Sequence, residues 1–322
     1  LSDVPTFRSL AIVFAILLAW PFLSPNDYIV LLGVALLVNL GLVAGLNLVA
    51  GYCGQVSLCH AAFFGLGAYA SGVLSARYGV DPMLGLPAAI VLAGAAALAI
   101  GLPSLRLHGH YLAMATLGFN AILSVLFNEL IKLTGGPNGL LGVPGFARDF
   151  GARIDAPGGQ FLVAWVYALV CMALILALLR SRTGRAMRAL AFSELTAGAL
   201  GTDTARLKTT IFVLTAAMAG AGGWVYVHVN QFASPETFGF LRSVLLLAAV
   251  AIGGWGRFWG PLPGAAVLTF TPELLGRMHD YEMLVFGGLL VGVLLAYPGG
   301  IAGACHRAAQ ALGRRGKTRG PA

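Results

Sequence analysis

The sequence predicts an all-α polytopic membrane protein of about ten transmembrane helices, with both termini cytoplasmic and a short helix in one cytoplasmic loop. Three observations carry that expectation. Of 322 residues, 58% are hydrophobic and only 10% charged, where a soluble domain carries about 25% charged residues; mean hydropathy is +0.86. Apolar runs recur along the whole chain at lengths near the roughly 20 residues a bilayer crossing needs. The basic residues gather in alternate loops, as the positive-inside bias requires.

Taken in order, the runs are 10–23, 28–50, 61–76, 84–102, 111–131, 161–179, 209–229, 243–255, 262–275 and 283–297. The first follows Arg8 and resembles a signal sequence in length. No small-residue cleavage site follows Pro21 and another run begins at once, so it reads as a span. The third, eighth and ninth are short and interrupted by Gly or Pro, among them Gly253, Gly254, Pro261, Pro263 and Pro272. Such breaks are tolerated where backbone is buried in protein or lines a cavity, so they mark a candidate path and not a lipid face. The chain 1–322 is read as one membrane domain, with a long inner loop at 180–208 and a tail at 298–322.

Counted from a cytoplasmic N-terminus, 14 of the 20 basic residues fall inside, including Arg8, the cluster from Arg180 to Lys208, Arg257 and the tail. Arg242 is expected in an outer loop. The net charge of +8 then belongs to a face against anionic lipid and partner proteins, which gives no ground for nucleic-acid binding. The outer loop 132–160 is rich in Gly and Pro, too polar to span, and is expected to cap the outer mouth. Both halves would hold five spans of opposite sense, so any relation between them is inverted in topology; glycine-rich blocks near Gly51 and Gly253 hint at one.

Within the inner loop, Ser193 stands at an N-cap position, Glu194 in the first turn and Gly201 as a C-terminal stop. The helix between them is about two turns, too short to persist alone in water. It must be held by packing, against its own membrane helices or in a groove on a partner. Arg185, Arg188, Arg206 and Lys208 flank it, placed to meet lipid phosphate or an acidic protein surface. Local pattern leaves an ordinary positive-inside loop and a docking element equally open.

Catalytic and metal chemistry find little support. Cys53, Cys59, Cys171 and Cys305 lie in or beside apolar runs without C-x-x-C spacing, and the six histidines show neither His-x-x-x-His nor His-Glu-x-x-His. A phosphate-binding loop needs G-x-x-x-x-G-K-[ST] after a strand; Gly316-Lys317-Thr318 is preceded by Ala311 where Gly is required, in a basic tail. ATP, if used, is hydrolysed by another chain. An ion-driven transporter usually places a charged residue near mid-membrane, and no run carries one at its centre. Uncharged polar residues inside apolar runs are the candidates for lining a path: Asn47, Gln55, Ser57, His60, Thr116 and Asn120, with Asn39 and Asn128. For any one of them taken singly, helix-to-helix hydrogen bonding is the simpler explanation, and His60 alone reads as structural. Gly51, Gly54, Gly65 and Gly67 bracket Gln55 to His60, so this segment reads as either a broken stretch or tight small-residue packing.

The run Leu46-Asn-Leu-Val-Ala-Gly-Tyr-Cys-Gly-Gln-Val-Ser-Leu-Cys-His-Ala-Ala-Phe-Phe-Gly-Leu-Gly-Ala-Tyr69 resembles the G-Q-x-S-x-G/C-H/Q-A-x-F-x-G-x-G-A-Y block of LivM-type permeases of branched-chain amino acid ABC importers. Similar matches follow in order at 111–119, 134–140, 184–190 and 253–265. The resemblance implies a permease subunit in a bacterial inner membrane, working with a LivH-type partner permease, two cytoplasmic ATPase subunits and an extracytoplasmic binding protein. It implies no cofactor on this chain, ATP being hydrolysed by the partners. It also implies that the loop with Arg185, Arg188, Glu194, Ala197 and Gly201 is the coupling helix that enters a cleft on an ATPase. Leu195 and Thr196 depart from the alanines of the stricter Glu-Ala-Ala pattern. Urea or short amides as substrate, and a secondary transporter driven by an ion gradient, are the alternative readings.

Overall fold

The computed structural model describes residues 5–104, 110–146, 154–199 and 201–274, with positions 287, 288 and 292 besides. The expected span 283–297, apart from those three positions, and the tail 298–322 lie outside the described residues. Every element is helical, and the one β contact among the described residues is an isolated bridge between Leu140 and Ala233. The helices are α1 (Phe7–Leu18), α2 (Trp20–Leu23), α3 (Asp27–Asn47), α4 (His60–Tyr78), α5 (Pro82–Ser104), α6 (His110–Glu129), α7 (Ile131–Thr134), α8 (Pro157–Arg180), α9 (Arg182–Phe192), α10 (Glu194–Ala199), α11 (Thr204–Asn230), α12 (Phe240–Gly253) and α13 (Pro261–Leu274). A π-helical turn, Leu48–Tyr52, extends α3, and 3-10 turns lie at Gly136–Asn138 and Pro235–Phe238.

By length and composition, five stretches among the described residues suffice to cross a membrane: Asp27–Tyr52, Pro82–Pro103, Tyr111–Glu129, Pro157–Arg180 and Thr204–Asn230. Expected and observed ends differ by a few residues. The run 10–23 is not one helix, because the chain breaks at Ala19 before Pro21 in the first turn of α2. Helices α12 and α13 have 14 residues each, about 21 Å of rise against about 30 Å of hydrocarbon. Helix α12 is therefore too short to cross alone, and the described part of α13 ends at Leu274.

Two groups of helices make the interior. In the first, α4, α5 and α11 meet at backbone distance. A methyl group added at Gly67 would overlap the carbonyl of Gly220, and one at Gly223 would overlap that of Phe64. Small residues at such crossings give the close packing that helices in lipid depend on. In the second, α3 is the central rod, buried over most of its length from Leu36 to Asn47. It packs on α8, where the Tyr167 ring fills the space beside Gly41, and on α13, where Asn39 Nδ2 donates to Thr269 Oγ1 at 2.9 Å. Helix α1 lies along α8, joined by Trp165 Nε1 donating to the Phe14 carbonyl at 2.9 Å.

These contacts fix the two ends of the bundle. Arg180 Nη2 donates to the Pro5 carbonyl at 2.7 Å, so the start of α1, the end of α8 and the segment 182–199 share one end. At the opposite end, Leu140 and Ala233 exchange backbone hydrogen bonds of 2.8 and 3.2 Å. That bridge seats the turn Pro235–Phe238, whose Phe238 is fully buried against Phe64, Tyr69, Phe127 and Tyr226.

Candidate functional site

The path candidates converge on a break in the backbone. Helix α3 ends at Asn47, passes through the π turn and continues as irregular chain from Cys53 to Cys59 before α4 begins at His60. Gly54 has φ +68, a left-handed conformation that a side chain would strain. Backbone freed from helical bonding inside a membrane must find other partners, and here it does. The Gln55 N–H donates to the Val49 carbonyl at 3.1 Å. The Leu58 N–H donates to Thr116 Oγ1 at 3.1 Å, and Asn120 Nδ2 donates to the Leu58 carbonyl at 2.8 Å. Ser243 Oγ accepts from Asn120 Nδ2 and from the first-turn N–H of Ala61.

A second break, Gly254 to Gly260, separates α12 from α13. Asn47 clamps it with both ends of its amide: Nδ2 donates to the Arg257 carbonyl at 2.9 Å, and Oδ1 accepts from the Gly256 N–H at 3.0 Å. A methyl at Gly51 would overlap the Gly256 nitrogen. The two glycine-rich blocks noticed in the sequence are therefore in backbone contact. Asn47, Thr116 and Asn120 act as backbone-satisfying side chains of the breaks.

Gln55 differs from them. It is 4% exposed, and neither its Oε1 nor its Nε2 has a hydrogen-bond partner among the described residues. His60 Nε2 and Asn120 Oδ1 are buried without partners as well. Ser57 is buried, its Oγ 3.4 Å from Cys59 Sγ. Four orphaned polar atoms around one break are a concentration that a settled core does not retain, since each buried unsatisfied group costs about 1–3 kcal/mol. Asn128, by contrast, has a local bond, its Nδ2 donating to the Ser124 carbonyl at 2.8 Å.

The loop 182–199 lies against this break. The sequence indicated one helix there, at 193–201; the structure has two, α9 and α10, joined at Ser193. Ser181 Oγ caps α9 by accepting from the Gly184 N–H, and Met187 and Leu190 are its buried face. The spacing Met187–Leu190 after a capping serine was the available signal. Ser193 serves both helices: its N–H donates to the Ala189 carbonyl and its carbonyl accepts from the Ala197 N–H, each at 3.0 Å. Gly201, with φ +80, closes α10: its N–H reaches the Gly198 carbonyl and that of Thr202 the Ala197 carbonyl.

Charge in this hairpin is used internally as well as outwardly. Lys208, expected to face lipid or a partner, is instead buried and pairs with Glu194 Oε2 at 2.6 Å; their side chains are 8% and 33% exposed. Arg188 Nη2 donates to the Leu179 carbonyl at 3.3 Å, holding α9 to the end of α8. Arg185 is exposed, Ala197 is buried, and Gly198 and Gly201 are exposed. Space beside Gly54 ends at the Cα of Ala191, which places α9 directly over the break.

Arg242 requires a correction. It does not stand in an outer loop, because α12 starts at Phe240, three residues before the apolar run. The guanidinium Nη2 instead donates to Asn39 Oδ1 at 2.6 Å, within the bundle. One Ser–His contact also escaped the sequence: Ser71 Oγ lies 2.7 Å from His228 Nε2, and His228 Nδ1 lies 2.7 Å from the Pro144 carbonyl. A carbonyl takes the position that a triad gives to a carboxylate, and both side chains are fully buried, so the pair latches the loop to α4 and α11. No group of three potential metal ligands occurs among the described residues.

The family described as branched-chain amino acid transport system / permease component matches residues 28–294. The high-affinity branched-chain amino acid transport system permease protein LivM of Escherichia coli (strain K12) is 33% identical over 93% of this chain and 76% of its own length. The permease protein LivH of the same organism is 28% identical over 80% of this chain and 89% of its own length. BraD of Pseudomonas aeruginosa is 32% identical over 45% of this chain and 47% of its own length. No solved structure matches the chain.

Proposed function

The chain belongs to the family of permease components of branched-chain amino acid transport systems, and from that premise we propose that it carries branched-chain or related amino acids across a bacterial inner membrane. It works as one subunit of an ATP-driven importer. A LivH-type permease stands beside it, two ATPase subunits bind its cytoplasmic face, and a binding protein delivers substrate from outside. The chain itself binds no cofactor and performs no hydrolysis. A cytoplasmic N-terminus is supported by the grouping of Arg180, Arg182, Arg185, Arg188 and Arg206 at the end of the bundle where α1 begins.

The observation that carries the mechanism is the seating of the α9–α10 hairpin on the break. Arg185, the exposed face of α10 and the Gly201 turn meet the ATPase, while Met187, Leu190 and Ala197 grip the bundle. When ATP draws the ATPases together, the hairpin moves with them. Its contact at Gly54 and the π turn passes that motion to the Cys53–Cys59 segment and, through the Asn47 clamp, to Gly254–Gly260. Two irregular segments that touch through glycine change place more readily than two regular helices. The ATPases bias the equilibrium because the hairpin contacts them differently in the two states. The Gln55 amide is the polar group that lines the opened path, together with Ser57 and His60.

Reconstitution tests the reading. Vesicles holding both permeases and both ATPase subunits, supplied with the binding protein, are expected to accumulate leucine only with ATP inside the compartment that the ATPases face. Accumulation driven by a proton or sodium gradient without ATPase subunits would establish the secondary-transporter alternative instead.

A further inference from the structure

Away from the breaks, a cavity of about 190 Å³ opens between α3, α11 and α12. Its wall is apolar at Val34, Val38 and Val229, and polar at Asn39, Asn230 and Arg242. Asn39 precedes Asn47 by eight residues on α3, about 12 Å of rise, so the cavity lies on the far side of the break from the hairpin. The volume is small beside sites for drug-sized ligands, about 300–1,000 Å³, and suits a solute the size of a free amino acid.

Arg242 is an uncommon residue to find there. A charged side chain between membrane helices is costly and marks a functional position by default. It also stands in the first turn of α12, where the helix dipole disfavours a cation. The side chain is nonetheless held in place: Asn39 Oδ1 accepts from Arg242 Nη2 at 2.6 Å, and Asn39 is oriented in turn by its bond to Thr269 at 2.9 Å. A guanidinium fixed at the wall of an apolar-sided cavity matches a carboxylate joined to an aliphatic group, since its planar donors engage carboxylate oxygens in pairs.

We propose that this cavity is a substrate subsite, in which Arg242 receives the carboxylate of an aliphatic amino acid while Val34, Val38 and Val229 accommodate its side chain. The subsite rests on the transport function proposed above and adds to it a selectivity of the permease's own. Substrate released from the outside pauses here before the path at Gln55 opens. Urea and neutral amides lack the carboxylate and gain nothing from Arg242.

Two measurements on the assembled importer test it. In the first, leucine uptake by vesicles carrying Arg242→Gln is compared with that by wild type. Loss of this half-buried charge partner should lower uptake about thirtyfold or more, with the ATPase subunits still co-purifying, and Arg242→Lys should recover part of it. Uptake by Arg242→Gln at the wild-type rate overturns the subsite, whereas failure of wild type itself to show ATP-dependent uptake counts against the transport reading. In the second, Asn230→Cys, at an exposed position on the cavity wall, is labelled with a maleimide in the purified complex. Leucine should slow the labelling and leucinamide should not. Equal protection by both, or by neither, removes the carboxylate role from Arg242; this readout stands even if Arg242→Gln fails to assemble.

Discussion

Asn47 and Gln55 lie eight residues apart and make opposite predictions. The Asn47 amide satisfies the Gly256 N–H and the Arg257 carbonyl, so Asn47→Leu strands two partly buried backbone groups, at about 1–3 kcal/mol each. A lowered unfolding temperature in detergent, with reduced uptake, is the expected result. The Gln55 side chain has no hydrogen-bond partner among the described residues, so Gln55→Leu removes two orphaned atoms and should leave the unfolding temperature unchanged or raised, by up to about 1 kcal/mol of stability. Uptake should nevertheless fall at least tenfold if this amide lines the path; normal uptake takes the segment out of it. The sequence marked both residues as polar atoms within apolar runs, and it also marked Thr116 and Asn120. It did not distinguish them, because the distinction is made by partners far away in the chain: Leu58 and Asn120 are 62 positions apart. Arg242 was misplaced for a simpler reason. Hydropathy locates the apolar part of a helix, and α12 begins on its polar shoulder.

At the scale of the element, the hairpin holds its own charges unequally. Lys208 is 8% exposed and Glu194 33%, so removing the acid leaves an unpaired cation in a dry site, while removing the base leaves a carboxylate that water reaches. Glu194→Gln is therefore expected to destabilise the protein more than Lys208→Met, by about 1–3 kcal/mol against about 1 kcal/mol or less. Thermal unfolding of the two single variants and the double variant measures the difference; a larger cost for Lys208→Met contradicts the burial argument. Gly201→Ala places a side chain at φ +80 and should cost about 1 kcal/mol, loosening α10 without touching the membrane helices. Glu194 and Gly201 were legible as helix punctuation. Helix α9 was not, because its arginines suggested a solvated loop and its buried large side chains among the described residues are just Met187 and Leu190.

For the molecule as a whole, hydropathy sufficed to indicate an all-helical membrane protein, since the bilayer leaves backbone few other ways to satisfy itself. What hydropathy lacks is neighbourhood. Nothing in periodicity says that α4 packs on α11 through Gly67 and Gly220, or that Gly51 meets Gly256. Gly67→Leu, which drives a side chain into the Gly220 backbone, is expected to abolish accumulation of folded protein in the membrane, whereas an equally large residue at an open glycine should not. Gly198 is such a position: it is exposed on α10, and a methyl there would touch nothing within 4 Å. That makes it the most direct test of the claim that the hairpin is the contact through which separate ATPases drive this chain. Vesicles assembled with Gly198→Phe should contain a normally folded permease that retains little or no ATPase subunit and accumulates no leucine. Full ATPase retention with wild-type uptake would contradict the account.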